Sequence, residues 1–505
     1  MKIRSSILVA VSALLLAAAH TAHAQYAPPP PPTPFQGFIN EALRKNDPYM
    51  NQWDFGGSLR LRFESKEGFG IPGLAGSADF RDHGADVDND YLIARIRYRA
   101  GYTEKWWSAL VEGRSSFDSS DDRFAYFAAP VPPGTKNLKG DGPESDRADL
   151  HQAFLTLGNH KEFPLSLKVG RQELSYGEER LVGAFAWNNI GRVFDAVKLR
   201  WQTEWFGADL FTSRVVIPEE KGFNVHNDYD WLSGLYATSG KVPKHTLDLY
   251  FLARDSSQQA IAAEPSPQFP QPSARDLYTV GLRLKSKPGE VGHWDYSVEA
   301  AGQFGNFRDR RLGVNSVRLD QRAFMLVAQG GYSFPDVWGA PRLGLEYSYG
   351  SGDSDPTDNT HETFENLFPT NHKFYGYMDF ASLQNIHDLR GIVQLKPTPR
   401  LSLAAEAHGF WLADTHDNFY NVGGAPRGGL TTTPLGNGYG INPGYDNFVG
   451  TELDLVGGCA LTRNAQLEIG YGHFFAGDYV KRSLSAITHG ASDANYLYLQ
   501  TTINF

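Results

Sequence analysis

One cysteine, Cys459, occurs in 505 residues, so no disulfide can form within the chain and the thiol reads as a small packed apolar group. After the first 25 residues no window has the unbroken apolar length of a membrane-spanning helix, which excludes helical spanning. Basic residues are outnumbered, 47 Lys and Arg against 57 Asp and Glu, and an acidic total argues against nucleic acid as a partner. It does not fix the field at any one site, which depends on where the charges sit. The long segments between apolar stretches lack repeats, which disfavours an adhesin.

The N-terminus has Lys2 and Arg4, an apolar stretch from Ile7 to Ala19, and the small-residue sequence Ala22-His23-Ala24. This reads as a signal peptide over residues 1–24, with the mature chain starting at Gln25. No cysteine follows the cleavage site, so no lipid anchor is expected there. Removing Lys2 and Arg4 takes the cations from 47 to 45 against 57 acids, hence the net charge from −10 to −12. Residues 25–52 form a proline-rich periplasmic segment in which Pro28 to Pro34 is extended, followed over Phe35 to Lys45 by apolar residues at helical spacing.

Residues Tyr91 to Ala100, YLIARIRYRA, show what the rest is for. Side chains alternate across a strand, so Leu92, Ala94, Ile96 and Tyr98 share one face and Arg95, Arg97 and Arg99 the other. The apolar face suits lipid and the cationic face a watery lumen. Scanning for the same alternation gives about eighteen strands, within the size range of closed membrane barrels. They lie near 55–64, 90–101, 107–116, 149–158, 165–173, 193–203, 206–215, 231–239, 245–254, 276–286, 294–304, 322–334, 342–350, 387–396, 401–411, 448–457, 464–475 and 494–505. The expected fold is all-β, a transmembrane antiparallel up-and-down barrel over residues 53–505. Long and short connections alternate without an evident exception, which suits short periplasmic turns, long outer loops and both termini in the periplasm. Tyr102, Trp106, Trp107, Trp205, Trp294, Phe334 and Trp338 cluster at the short turns, as an interfacial girdle would. A last strand ending in Phe505 resembles the C-terminal signal of outer-membrane barrels.

Parity then assigns the lumen. The expected conduit residues are Arg60, Arg62, Arg95, Arg97, Arg99, Arg114, Lys168, Arg171, Lys198, Arg200, Arg254, Arg283, Lys285 and Arg390, with inward acids at Asp295, Glu299, Glu346, Glu406, Asp454 and Glu468 on later strands. The first two strands carry five arginines, and Glu64 is the one obvious inward acid beside them. Every barrel lumen is polar and cross-strand ion pairs are architectural, so the unmatched arginines are the ones that point to an anionic cargo. Parity places Arg171 outward with Leu167 and Val169, so lining the pore would require a bulge there.

Gly170 to Trp201, GRQELSYGEERLVGAFAWNNIGRVFDAVKLRW, and Ser351 to Phe380, SGDSDPTDNTHETFENLFPTNHKFYGYMDF, resemble the alginate-export family of outer-membrane barrels. The resemblance implies an eighteen-stranded porin with an arginine-lined conduit for an anionic uronate polysaccharide, in which Arg171 and Arg192 match motif arginines. The expected partners are that polysaccharide or small anions, outer-membrane lipid and, for export, a periplasmic partner. No cofactor, metal or catalytic residue is expected. The alternatives are a general or small-organic-anion porin and, less favoured, an outer-membrane hydrolase built on His408 with Ser402 or Glu406. Segments 351–386 and 412–447 are long enough to fold over or into the mouth. Asp353, Asp355, Asp358 and Glu362 lack the spacing of a known calcium loop and read as a solvated acidic turn.

Overall fold

The computed structural model describes residues 37–69, 88–121, 144–219, 222–256, 274–309, 317–424, 426–427, 441–485 and 491–505. The expected signal peptide, the proline run and residues 425 and 428–440 of the segment 412–447 lie outside them. Among the described residues the strands are β1 (Trp53–Glu67), β2 (Asn89–Thr103), β3 (Trp107–Ser119), β4 (Asp146–Leu157), β5 (Leu165–Gln172), β6 (Phe194–Gln202), β7 (Gly207–Ile217), β8 (Val225–Ser239), β9 (His245–Ser256) and β10 (Arg275–Ser286). They continue with β11 (Trp294–Asp309), β12 (Val317–Ser333), β13 (Arg342–Gly350), β14 (Thr360–His361), β15 (Ile386–Thr398), β16 (Leu401–Leu412), β17 (Phe448–Ala460), β18 (Ala465–Ala476) and β19 (Ala494–Asn504). All but the two-residue β14 are the staves of a closed antiparallel barrel of eighteen strands. Each stave pairs with its neighbour in sequence, and β1 meets β19 to close the wall.

Alternation explains the wall. Arg62 is 1% exposed and its neighbour Leu61 is 42% exposed. Leu92, Ile96 and Tyr98 are likewise exposed on the outer face of β2, while Arg95 is buried inside. A one-residue slip would turn every arginine to lipid, so the register is strongly specified. The closing seam is tied by Gly57 N–H to Phe505 O at 2.9 Å and Phe505 N–H to Gly57 O at 3.0 Å. Trp106, Trp107, Trp205, Trp294, Phe334 and Trp338 are exposed at the short-turn end.

A helix, α1 (Phe38–Asn46), lies at the same end. Its Asn40 is buried, donates to Asp54 Oδ1 at 2.6 Å and accepts from Phe55 N–H at 2.8 Å. Phe38 packs against Phe505 with ring centres 6.2 Å apart. The second helix, α2 (Asp478–Ser485), lies between β18 and β19.

The lengths of connections do not alternate as regularly as expected. Strands β7, β8, β11 and β12 run beyond their expected ends, which leaves 218–224 and 310–316 no longer than the turns 287–293 and 334–341. Above the lipid both faces of a strand meet water, so the two-fold pattern that marks a strand in sequence fades before the strand ends.

Candidate functional site

The lumen is where the inward side chains meet two connections folded between the staves. The first, residues 173–193, rests on the arginines of β1 and β2. Arg60 Nη1 donates to Ala186 O at 3.0 Å and its Nη2 to Asn188 O at 3.3 Å and Asn189 Oδ1 at 3.2 Å. Arg95 Nη1 donates to the same Ala186 O at 3.1 Å and to Asn188 O at 3.2 Å. Arg62 Nη1 reaches Trp187 O at 2.9 Å, and its guanidinium carbon lies 3.8 Å from the Trp187 ring centre. Hydrogen bonds from a charged group are each worth about 1.5–3 kcal/mol, so this wall holds the segment firmly. Asn189 Nδ2 adds bonds to Ala94 O at 3.0 Å and Phe117 O at 3.2 Å.

The second connection, residues 351–385, buries Phe364, Phe374, Tyr375, Met378, Phe380 and Leu383 inside the barrel. It is stitched to the first. Gly183 N–H donates to Phe368 O and Phe368 N–H to Leu181 O, both at 2.9 Å. Arg192 Nη1 donates to Gly183 O at 3.1 Å, Phe368 O at 2.6 Å and Pro369 O at 2.8 Å. Trp187 stacks on His372 with ring centres 3.9 Å apart and planes 10° apart. Tyr498 meets Trp187 edge-on at 5.0 Å. From β17, three staves from β1, Glu452 Oε1 accepts from Met378 N–H at 2.8 Å.

The loop charges are tuned by this packing. Burial alone would raise the Glu173 carboxyl, but the contact with His151 at 2.9 Å and the charge of Arg97 outweigh it and hold the group at about 2. Glu178 is likewise held at about 2, because Lys285, Arg180 and Arg283 outweigh burial. Burial lowers Arg192 to about 10, against the pull of Glu179. It is therefore still a cation at neutral pH.

The arginines of β1 and β2 meet more acids than the sequence suggested. Arg62 pairs with Glu64 at 2.7 Å. Arg97 pairs with Glu173 at 3.1 Å and lies 3.8 Å from Glu112. Arg99 makes a two-pronged contact with Asp54 at 2.8 and 3.2 Å. The view that Glu64 is the one inward acid here is therefore corrected: Glu173 comes from an inserted connection, and Asp54 from the first residues of β1, outside the expected strand. Arg60 and Arg95 are different. They stand directly opposite each other, and among the described residues neither forms an ion pair. Carbonyl dipoles solvate those two charges without cancelling them.

Several other inward cations are paired within the wall or to the insertions. Arg114 pairs with Asp146 and donates to Ile190 O at 2.8 Å. Arg254 pairs with Asp230 and Glu365, both at 2.6 Å. Arg283 pairs with Asp248, Lys285 with Glu178 at 2.5 Å, and Arg390 with Glu406 at 2.7 Å. Lys168, Lys198 and Arg200 lie on the inner rows of β5 and β6. Arg171 does not line the lumen. It shares the outward row of Val169, faces Asp195 across the ladder at 2.8 Å and lies near Phe223 and His226, so no bulge turns it inward.

His408 is buried between Asp388 at 2.9 Å and Glu406 at 3.7 Å. Ser402 points to Gly458 O at 3.5 Å and stands six residues away along the same strand, roughly 20 Å at a strand's rise per residue. The two cannot act as nucleophile and base. In the acidic turn, Asp355 accepts from Thr357, Asp358 from Thr360 and Glu362 from Ser354. These carboxylates cap their own turn, and no group of metal-ligating side chains occurs among the described residues. The residues that sequence reasoning missed are those of the insertions, above all Trp187, Arg180, Glu173 and Glu178. The apolar run LVGAFAW, Leu181 to Trp187, was the signal available, since a solvated loop has no use for it.

The family model for alginate export matches residues 51–492. Among the solved structures that share the fold are three from Pseudomonas aeruginosa and Acinetobacter baumannii. OccK3 (OpdO) of Pseudomonas aeruginosa is 13% identical, with 90% of this chain and 96% of that one covered at a TM-score of 0.51. OccAB1 of Acinetobacter baumannii is 11% identical, with 90% and 97% covered and a TM-score of 0.51. OpdK of Pseudomonas aeruginosa, solved with vanillate, is 10% identical, with 90% and 98% covered and a TM-score of 0.52. At such identities the likeness is one of fold. No curated protein matches the chain.

Proposed function

The chain belongs to the alginate-export family and is an outer-membrane channel of barrel type, and from that premise we propose that its cargo is an anionic uronate polysaccharide or its oligomers, passed by passive diffusion. The observation that carries this reading is the opposed pair Arg60 and Arg95, whose guanidinium groups donate to carbonyl oxygens and, among the described residues, form no ion pair. A carboxylate leaving bulk water for a narrow lumen loses solvation, and guanidinium charge replaces part of it. Several moderate sites in series let a polymer advance, where one tight site would hold it. The first described residue, Gly37, and Phe505 both lie at the short-turn end, which we assign to the periplasm. An outer membrane supplies no nucleotide energy, so direction follows the cargo's own gradient.

A second reading, a porin for small organic anions, is favoured by the two connections stitched together between the staves. Flux into vesicles separates the two. Liposomes carrying the full chain are expected to admit an oligouronate faster than a neutral oligosaccharide of equal length. Entry of glucuronate with exclusion of the oligomer would favour the small-anion porin, and equal rates for charged and neutral sugars would overturn both.

A further inference from the structure

Three pairs of cations stand directly opposite each other on the inner wall: Arg60 and Arg95 across β1 and β2, Arg97 and Arg114 across β2 and β3, and Lys168 and Lys198 across β5 and β6. Like charges placed this way destabilise a ladder, so each pair calls for something to offset it. The chain supplies that for the first two. Ala186 O accepts from both Arg60 and Arg95, Glu173 pairs with Arg97, and Asp146 pairs with Arg114.

The third pair is served differently. Among the described residues Lys168 makes no hydrogen bond or ion pair, and its Nζ lies 3.5 Å from the centre of the Phe154 ring. Lys198 Nζ has Asp209 at 3.3 Å. That one carboxylate also takes Arg200 at 2.9 Å and the Tyr176 hydroxyl at 3.2 Å. Lys198 and Arg200 thus share one carboxylate, and Lys168 has none among the described residues. The pair also meets water, with the Lys198 and Arg200 side chains 21% and 39% exposed. Ser166 and Asp209 flank Arg200 on its two neighbouring strands, and Thr156 and Lys198 flank Lys168.

We propose that Lys168, Lys198 and Arg200 form a carboxylate-binding site on the β5–β6 wall, filled in turn by the acid groups of passing solute. This rests on the anion-channel reading and gives it a place. A bound carboxylate would accept charge-assisted hydrogen bonds from both ammonium groups and relieve their repulsion. Uronate residues and small organic acids share this chemistry.

The test is block of single-channel current in planar bilayers by glucuronate, a short oligogalacturonate or benzoate, with the full chain and its variants. Lys168→Gln is expected to raise the half-blocking concentration at least tenfold, Lys168→Arg to restore it, and Lys241→Gln, on an exposed turn, to leave it unchanged. Stronger block by the oligouronate identifies a saccharide as the occupant, and stronger block by benzoate identifies a small acid. Block that is unaltered in Lys168→Gln, or weakened as much in Lys241→Gln, overturns the site while wild-type anion selectivity keeps the channel reading. A cation-selective wild type that none of the three probes blocks overturns both. Removing one of two facing charges is also expected to raise the urea midpoint of the barrel in vesicles; a lower midpoint for Lys168→Gln would make the lysine architectural and overturn the proposal.

Discussion

Arg192 shows what a single buried side chain does here. One guanidinium nitrogen takes three carbonyl oxygens from two connections that lie far apart in sequence. Arg192→Ala leaves the Gly183 and Pro369 carbonyls short of a donor, at a cost of order 1–3 kcal/mol each where no water replaces it, while Phe368 O keeps the Gly183 N–H. We expect the two segments to part, with larger and noisier single-channel current than wild type; identical traces would show that the clamp is dispensable. Acid should not undo the seating as readily. Glu173 and Glu178 are held at about 2, below the ordinary value of 4.5. A depressed carboxylate contributes stability that is complete above its unfolded value and lost as pH falls through its folded one. These contacts should therefore begin to weaken below about 4.5 and persist in part until about 2. The hydrogen-exchange protection of residues 173–193, corrected for the intrinsic pH dependence of amide exchange, is expected to be unchanged between pH 7 and 5, and release of the segment within that range would contradict the assignment.

At the scale of elements, the staves were legible and the insertions were not. Alternation between lipid and water repeats every two residues, so all eighteen staves lie close to their expected positions, and Arg60, Arg62 and Arg95 face inward as parity requires. The partners of those arginines were hidden because the contact from Arg95 to Ala186 spans 91 residues and its acceptor is a backbone carbonyl, which no side-chain pattern marks. The turn at Asn188 was readable in kind: its side chain accepts from Ile190 and Gly191 N–H at 2.9 and 3.1 Å, and Gly191 has φ +78°. What the sequence did not reveal was that this turn lies inside. Packing between staves and insertion can be tested at Gly470, where an added Cβ would lie 2.0 Å from the Tyr498 ring. Tyr498 donates to Glu468 at 2.9 Å and braces Trp187. Gly470→Ala is expected to destabilise the barrel by roughly 1–3 kcal/mol, read as a lower urea midpoint in vesicles, and an unchanged midpoint would mean that the tyrosine is free to move.

For the whole molecule, an acidic chain encloses a lumen whose charge is unevenly cancelled. The formal total is −10. Most inward arginines have carboxylate partners, while Arg60, Arg95 and Lys168 have none among the described residues. Field inside a narrow, low-dielectric wall follows these local charges and outweighs the distant total. The most direct measurement is the zero-current potential of the full chain in a planar bilayer under a potassium chloride gradient. The account predicts the sign of an anion-selective pore, reduced in Lys168→Gln; a cation-selective potential would contradict it.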